Sequence, residues 1–245
     1  MVEILINIKM KISIITINYN NFHGLVKTIE TVLSQTYSFI EFIVIDGGST
    51  DSSKDYLESI STKIHYWVSE SDRGVYHAMN KGLKVATGDF CVFLNSGDYL
   101  IDNNVIYKSS QLLNYNTSLF YGLIKWEDNG NLWNPKKDLK PFEMINRSCI
   151  PHQAVFFKTE TIKKYGGYKE EFRVISDWGL MLEMIRDKYT IQKIDLVVSF
   201  CEKQGISAAY EQLAKKERIQ YLLKYSFSTL IIGYLFLLRQ YFKRK

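Results

Sequence analysis

Residues 40–51 read IEFIVIDGGSTD. An apolar, β-branched run stops abruptly at Asp46-Gly47-Gly48-Ser49-Thr50-Asp51, which predicts a strand followed by a loop at its C-terminal end. Upstream, residues 11–17 (KISIITI) form a similar run ending at Asn18-Tyr19-Asn20-Asn21. Between the two, Leu25, Ile29, Val32 and Leu33 stand at helical spacing over 23–35. Downstream, a helix is expected to about Ile60, a third strand at 64–68 (IHYWV), a helix from Gly74 to Val85 with Gly88 closing its turn, and a fourth strand at 90–94 (FCVFL) ending at Asn95-Ser96-Gly97-Asp98. Strands alternating with helices predict a doubly wound, mostly parallel α/β sheet. Each polar loop follows the C-terminal end of a strand, the edge where such sheets bind ligands.

The second half predicts a hairpin over 118–134, a connection at 142–150, a strand at 154–158 and a helix near 159–165. A Gly166-Gly167 turn, a helix over 177–187 and a strand at 190–199 complete it. The three cysteines, Cys91, Cys149 and Cys201, are odd in number and far apart, as expected of reduced thiols. The first ten residues lack the pattern of a secretory signal, so the main domain is expected to face the cytoplasm.

Charge is unevenly spread. The formal net charge is +5, but the tail from Ala208 carries +6 and the preceding 207 residues −1. A basic patch confined to a tail argues against a nucleic-acid binder. Residues 208–224 predict a basic amphipathic helix with Leu213, Ile219, Leu222 and Leu223 apolar, and 225–238 (YSFSTLIIGYLFLL) are apolar all round. Fourteen residues fall short of the roughly 20 that span a bilayer. A core helix is one reading. An interfacial helix on anionic lipid also explains the flanking Lys224, Arg239, Lys243, Arg244 and Lys245.

Several short motifs offer chemistry. Thr16, Asn18 and Asn20 close the first strand with groups able to bond a base edge. Asp46 can accept from a base or ribose, Gly48 allows close backbone approach, and Ser49 or Thr50 can cap the next helix. Asp72 and Arg73 precede a helix start, a natural place for diphosphate, with Asn80 and Lys81 two turns on. Asn95, Ser96 and Asp98 form a polar loop with one carboxylate. Ile175-Ser176-Asp177-Trp178 opens a helix on an acid, and Pro151-His152-Gln153 precedes a strand, where His152 can reach metal, diphosphate or acceptor.

Taken in order, these motifs resemble glycosyltransferase family 2, and among its members the small bacterial polysaccharide-assembly enzymes. The resemblance covers residues 11–207 and implies the GT-A fold. It assigns a nucleotide-sugar half to about 11–100 and an acceptor half to about 101–207, and leaves 208–245 as a helical, membrane-associated tail. It implies an inverting transfer from a UDP- or GDP-sugar to a polyprenyl-diphosphate-linked saccharide at the inner face of the cytoplasmic membrane. In that family Thr16, Asn18, Asn20, Asp46, Gly48, Ser49, Asp72, Arg73, Asn80, Lys81, Asn95 and Ser96 would bind the donor. Asp98, with His152 as a candidate helper, would hold Mg²⁺ or Mn²⁺, and Asp177 would be the general base. The loop departs from the family's Asp-rich pattern, since Asn95 stands where an Asp is usual. In Gly205-Ile206-Ser207, Gln204 replaces the first glycine of the family's closing loop. Two other functions remain open: a nucleotidyltransferase, and a non-catalytic sugar-nucleotide binder.

Overall fold

The computed structural model describes residues 9–134, 150–201, 210–225 and 231. Its first half runs β1 (Ile12–Asn18), α1 (Phe22–Leu33), β2 (Ile40–Asp46), α2 (Ser53–Ser59), β3 (Tyr66–Ser69), α3 (Val75–Val85) and β4 (Phe90–Phe93). All three pairings within β3-β2-β1-β4 are parallel. Strand β1 is buried along its whole length, and its period-two geometry feeds two cores. Ile12 and Ile14 face α1 and join one cluster with Leu25 and Ile29; Ile15 and Ile17 face α3 and join the other with Met79 and Leu83.

The β1–β2 register pairs Ile12 with Ile40 and Asn18 with Asp46, so both polar loops emerge side by side at one edge. Because β2 and β4 flank β1 on opposite sides, the chain reverses its winding direction at β1/β4, and a crevice opens outside their C-terminal ends. Gly88 does not close α3 in a left-handed turn. It is where the chain presses on β1: a Cβ there would lie 2.7 Å from the Ser13 nitrogen and 2.9 Å from the Lys11 carbonyl oxygen.

The second half contributes β5 (Tyr99–Leu100), α4 (Val105–Ser110), β6 (Leu119–Trp126), β7 (Leu132–Trp133), β8 (Val155–Lys158), α5 (Thr159–Lys164), α6 (Ser176–Arg186) and β9 (Ile191–Cys201). Strand β8 enters antiparallel between β4 and β6, β9 runs parallel to β6, and β7 forms the expected hairpin on β6. Gly166 and Gly167 make the expected turn, both with positive φ. Of the cysteines, Cys91 and Cys201 are buried and free. Cys149, the connection at 142–149 and the closing loop at 204–207 lie outside the described residues.

The last described helix, α7 (Glu211–Tyr225), lies where an amphipathic helix was expected over 208–224. Ala214, Tyr221 and Leu222 are buried in the same cluster as Trp178 and Met181 of α6. Of the residues expected on one apolar face, Leu222 and Leu213 turn inward, while Ile219 and Leu223 are 60% and 55% exposed. Helix α7 thus packs on the domain's core. Among the described residues no helix is long and apolar enough to cross a membrane.

Candidate active site

The edge loop after β2 is built around Asp46. Its side chain is fully buried and accepts from Asn18 Nδ2 (2.7 Å), the Ser49 hydroxyl (2.5 Å) and amide (2.9 Å), and the Ser69 hydroxyl (2.6 Å). Burial pushes the carboxyl's pKa up, but these donors outweigh it and hold Asp46 below the usual carboxylate range. Asn18 Nδ2 also reaches Ser53, and Ser49 Oγ accepts from the Asn20 amide. Asn20, with φ of 49°, accepts from the Thr50 amide through its own Oδ1. Thr16 lies one alternate residue deeper and is fully buried. Thr16, Asn18 and Asp46, expected at the donor, are in this conformation the loop's interior scaffold. What they present outward is Asn20, Gly48 and Tyr19, the last 67% exposed.

The α3 entrance presses against this loop. A Cβ on Gly47 would meet Asp72 Oδ2 at 2.6 Å, so the missing side chain makes room for that carboxylate. A Cβ on Gly48 would stand 3.1 Å from the Ser71 amide nitrogen. Asp72 Oδ1 accepts from the Gly74 amide. The exposed Arg73 bonds Glu170 at 2.6 Å, and Lys81 bonds Glu70 at 2.9 Å and the Ser71 carbonyl. The half-buried Asn80 brackets Tyr168 through both backbone groups and also donates to Glu170, the partner of Arg73. It ties α3 to the segment before α6.

At the crevice, α1 shapes the loop after β4. Thr28 Oγ1 donates to the Asp98 carbonyl (2.6 Å) and accepts from the Gly97 amide (3.0 Å), and Asn21 Nδ2 donates to the Ser96 carbonyl. The buried Asp98 carboxylate accepts from Gln153 Nε2 at 2.9 Å. His152 lies between two expected site residues. Its Nε2 is 3.2 Å from Asn95 Nδ2 and its Nδ1 is 3.2 Å from Asp177 Oδ2. The imidazole thus bridges the Asn95 amide and the Asp177 carboxylate.

Asp177 heads α6 and is 13% exposed, and its Oδ1 accepts from the Tyr76 hydroxyl at 2.9 Å. Burial pushes its pKa up, yet His152, the Trp178 amide and Tyr76 together hold it below the ordinary carboxylate value. The result is one connected row, Asn95–His152–Asp177–Tyr76, linking the β4 loop to the head of α6. Sequence reading missed Tyr76, Ser69, Thr28 and Gln153. Gln153 stands inside the quoted Pro151-His152-Gln153, but only the folded geometry shows what these four side chains touch.

Among the described residues no three His, Cys, Asp or Glu side chains converge into a cage that could hold a metal. The Asp98 carboxylate shares this loop with a buried Asn95 Oδ1 that has no hydrogen-bond partner among the described residues, whereas both ring nitrogens of His152, expected as a helper, are already engaged by Asn95 and Asp177. That donor set fits a hard cation completed by substrate phosphates and not one caged by protein alone.

A doubly wound sheet with polar loops at the switch point and a mostly buried acid across the crevice is a GT-A architecture. The profile of Glycosyl transferase family 2 matches residues 13–162, and the chain belongs to that family. An uncharacterised glycosyltransferase of Mycobacterium tuberculosis is 34% identical over 177 residues, covering 70% of this chain and 67% of its own. The Escherichia coli UDP-Glc:alpha-D-GlcNAc-diphosphoundecaprenol beta-1,3-glucosyltransferase is 37% identical over 112 residues, 45% of this chain and 44% of that one. Among solved structures, Staphylococcus aureus TarS (residues 1–349) in complex with UDP-GlcNAc superposes with a TM-score of 0.72 at 18% identity, covering 93% of this chain and 72% of that one. A mannosyltransferase from Pyrobaculum calidifontis in complex with GDP-Man and Mn²⁺ gives 0.64 at 18% identity, covering 88% and 64%. These likenesses agree with the GT-A fold expected from the motifs.

Proposed function

We propose that the protein transfers one sugar from a nucleotide-sugar donor to a hydroxyl of a lipid-linked saccharide, with inversion, during cell-surface polysaccharide assembly. The observation that carries this reading is Asp177: an ionised carboxylate at a helix head, held at both oxygens and bridged by His152 to the β4 loop. The acceptor oxygen attacks the anomeric carbon, the bond from that carbon to the diphosphate oxygen breaks, and Asp177 takes the acceptor's proton. One displacement inverts the configuration. Asn20, Gly48, Ser49 and Tyr19 form the nucleoside side of the donor site, with Thr16, Asn18 and Asp46 supporting it from beneath. Arg73, Lys81 and the start of α3 lie on the diphosphate side, and for them the phosphates compete with Glu170 and Glu70.

A divalent ion at Asp98, aided by Asn95, would neutralise the departing diphosphate. The Escherichia coli relative's name specifies a UDP-sugar donor and a diphosphoundecaprenol-linked acceptor, which supports both substrate classes here. An acceptor of that kind places the enzyme at the inner face of the cytoplasmic membrane.

The test is Asp177→Asn. Donor binding is retained while transfer falls by about 10²–10⁴-fold, the usual contribution of base catalysis. Near-normal turnover in this variant sinks the assignment. Assays with UDP-, GDP- and dTDP-sugars identify the donor.

A further inference from the structure

We infer that Glu217, on the C-terminal helix α7, is a positioning residue for glycosyl transfer. Its buried carboxylate grips the backbone that leads into the base-bearing helix. Glu217 is only 6% exposed. One of its oxygens accepts from the Arg173 amide at 2.8 Å and the other from the Val174 amide at 2.9 Å. Two oxygens on two successive amides fix both the place and the direction of that backbone.

Three residues further on is Asp177. The start of α6 has no side-chain cap of its own: Ile175 stands at the cap position. The entry angle of α6 is therefore set from outside, by Glu217 and by Ser176 Oγ accepting from the Lys169 amide.

A second observation places α7 against the same turn. At Gly179, two residues after Asp177, a Cβ would collide with the Tyr221 ring, so α7 approaches α6 where no side chain intervenes. Tyr221 packs edge-on against Trp178, the residue after the base, with ring centres 6.0 Å apart, and Arg218 lies over that indole at 5.4 Å. The helix that a charge-based reading would leave to the membrane is thus a brace for the catalytic turn. Base catalysis is sensitive to such bracing, since a misplacement of about 1 Å can cost about 100-fold in rate.

This inference rests on Asp177 being the base, and the experiment separates the two. In the full chain, Glu217→Ala removes both acceptors, and Glu217→Gln keeps one and turns an N–H against the other amide. Lys224→Ala loosens the same helix near its end, where Lys224 bonds Glu171 at 2.8 Å, without touching 173–174.

For Glu217→Ala we expect kcat for transfer to fall about 10- to 100-fold. Donor KM and donor binding should stay within about twofold, and amide exchange at Arg173 and Val174 should quicken. Glu217→Gln should fall between that variant and wild type, and it carries the test if Glu217→Ala does not fold. Lys224→Ala should turn over normally. Unchanged exchange at 173–174 overturns the inference, as does faster exchange with unchanged kcat. An equal kcat loss in Lys224→Ala overturns it in favour of general docking. If Asp177→Asn turns over normally, the base reading falls and takes this inference with it. If Asp177→Asn is inactive while Glu217→Ala matches wild type, only the positioning role falls.

Discussion

At the scale of single residues, Glu41 and Asp46 are buried acids surrounded by side-chain and amide donors, and their titration follows from those donors. Glu41 is the plainest case. Its carboxylate, buried at the edge opposite the active site, accepts from Lys11 Nζ, Ser13 Oγ and the Thr87 amide and hydroxyl. Burial pushes its pKa up, but those four donors reverse that and bring it from 4.5 to about 2. A carboxyl with a depressed folded-state pKa stabilises the fold fully above its unfolded value, and that stabilisation is lost as pH falls from 4.5 towards 2. The shift corresponds to about 3 kcal/mol at neutral pH. Glu41→Gln is therefore expected to unfold at lower denaturant than wild type at pH 7, with the gap narrowing steadily towards pH 2 in parallel titrations. A gap independent of pH would mean that the carboxylate's charge contributes nothing. Glu41 was not legible in the sequence, where it sits inside an apolar strand and its partners are 28 to 46 residues away. Asp46 was legible as a site residue by its loop. That its oxygens are already occupied by Asn18, Ser49 and Ser69 was not, because strand register decides it.

At the scale of elements, the parallel half could be read almost strand by strand, because β1, β2 and β4 are short apolar runs with abrupt polar ends and need only local information. Strand β5 and helix α4 escaped notice. They are two and six residues long, too short to show a period, and tertiary contacts hold them in place: β5 pairs with β9, and Thr36 bonds Asn104 at the entrance of α4. Helix α7 was legible as a helix over 208–224, but its packing was not. Its four apolar residues do not share one face. Leu213 and Leu222 turn towards α6, and Tyr221, which apolar spacing alone would not rank, fills the gap over Gly179. Phe172, Trp178, Tyr221 and Tyr225 form one aromatic cluster across the α6–α7 contact. Removing a ring of that size from a closed core costs about 3–5 kcal/mol. Tyr221→Ala should accordingly lower the denaturation midpoint by a large margin with little change in the slope. A chain ended after Ser207 should be destabilised further. A midpoint for Tyr221→Ala close to that of wild type would show that α7 is dispensable to the core.

On the scale of the whole molecule, charge and apolar residues divide along the chain, and α7 (Glu211–Tyr225) packs on the core. Beyond α7, residues 226–245 carry four cations, Arg239, Lys243, Arg244 and Lys245, and no acid, behind an almost wholly apolar stretch. The outward face of α7 continues the same chemistry. Ile219 and Leu223 stand one turn apart, both exposed, with Lys215 and Lys216 one turn before Ile219. An apolar stretch alone would bind any bilayer. Cations near an anionic surface add about 1 kcal/mol each, or roughly fivefold per residue in affinity. Binding to vesicles should therefore rise with the fraction of anionic lipid. It should weaken as salt goes from about 0.1 M to 1 M, where the screening length contracts from about 10 Å to 3 Å. Because α7 braces the core, the informative truncation falls after Tyr225. That protein should keep its denaturation midpoint and its turnover on a short soluble acceptor, yet float free of vesicles in sedimentation. Ile219→Glu and Leu223→Glu in the full chain should weaken vesicle binding without unfolding, since both side chains already face solvent. If the chain ending at Tyr225 loses its fold, residues 226–238 belong to the core. If it still sediments with anionic vesicles at low salt, the contact lies elsewhere on the domain. Either result ends the assignment of the tail to the membrane.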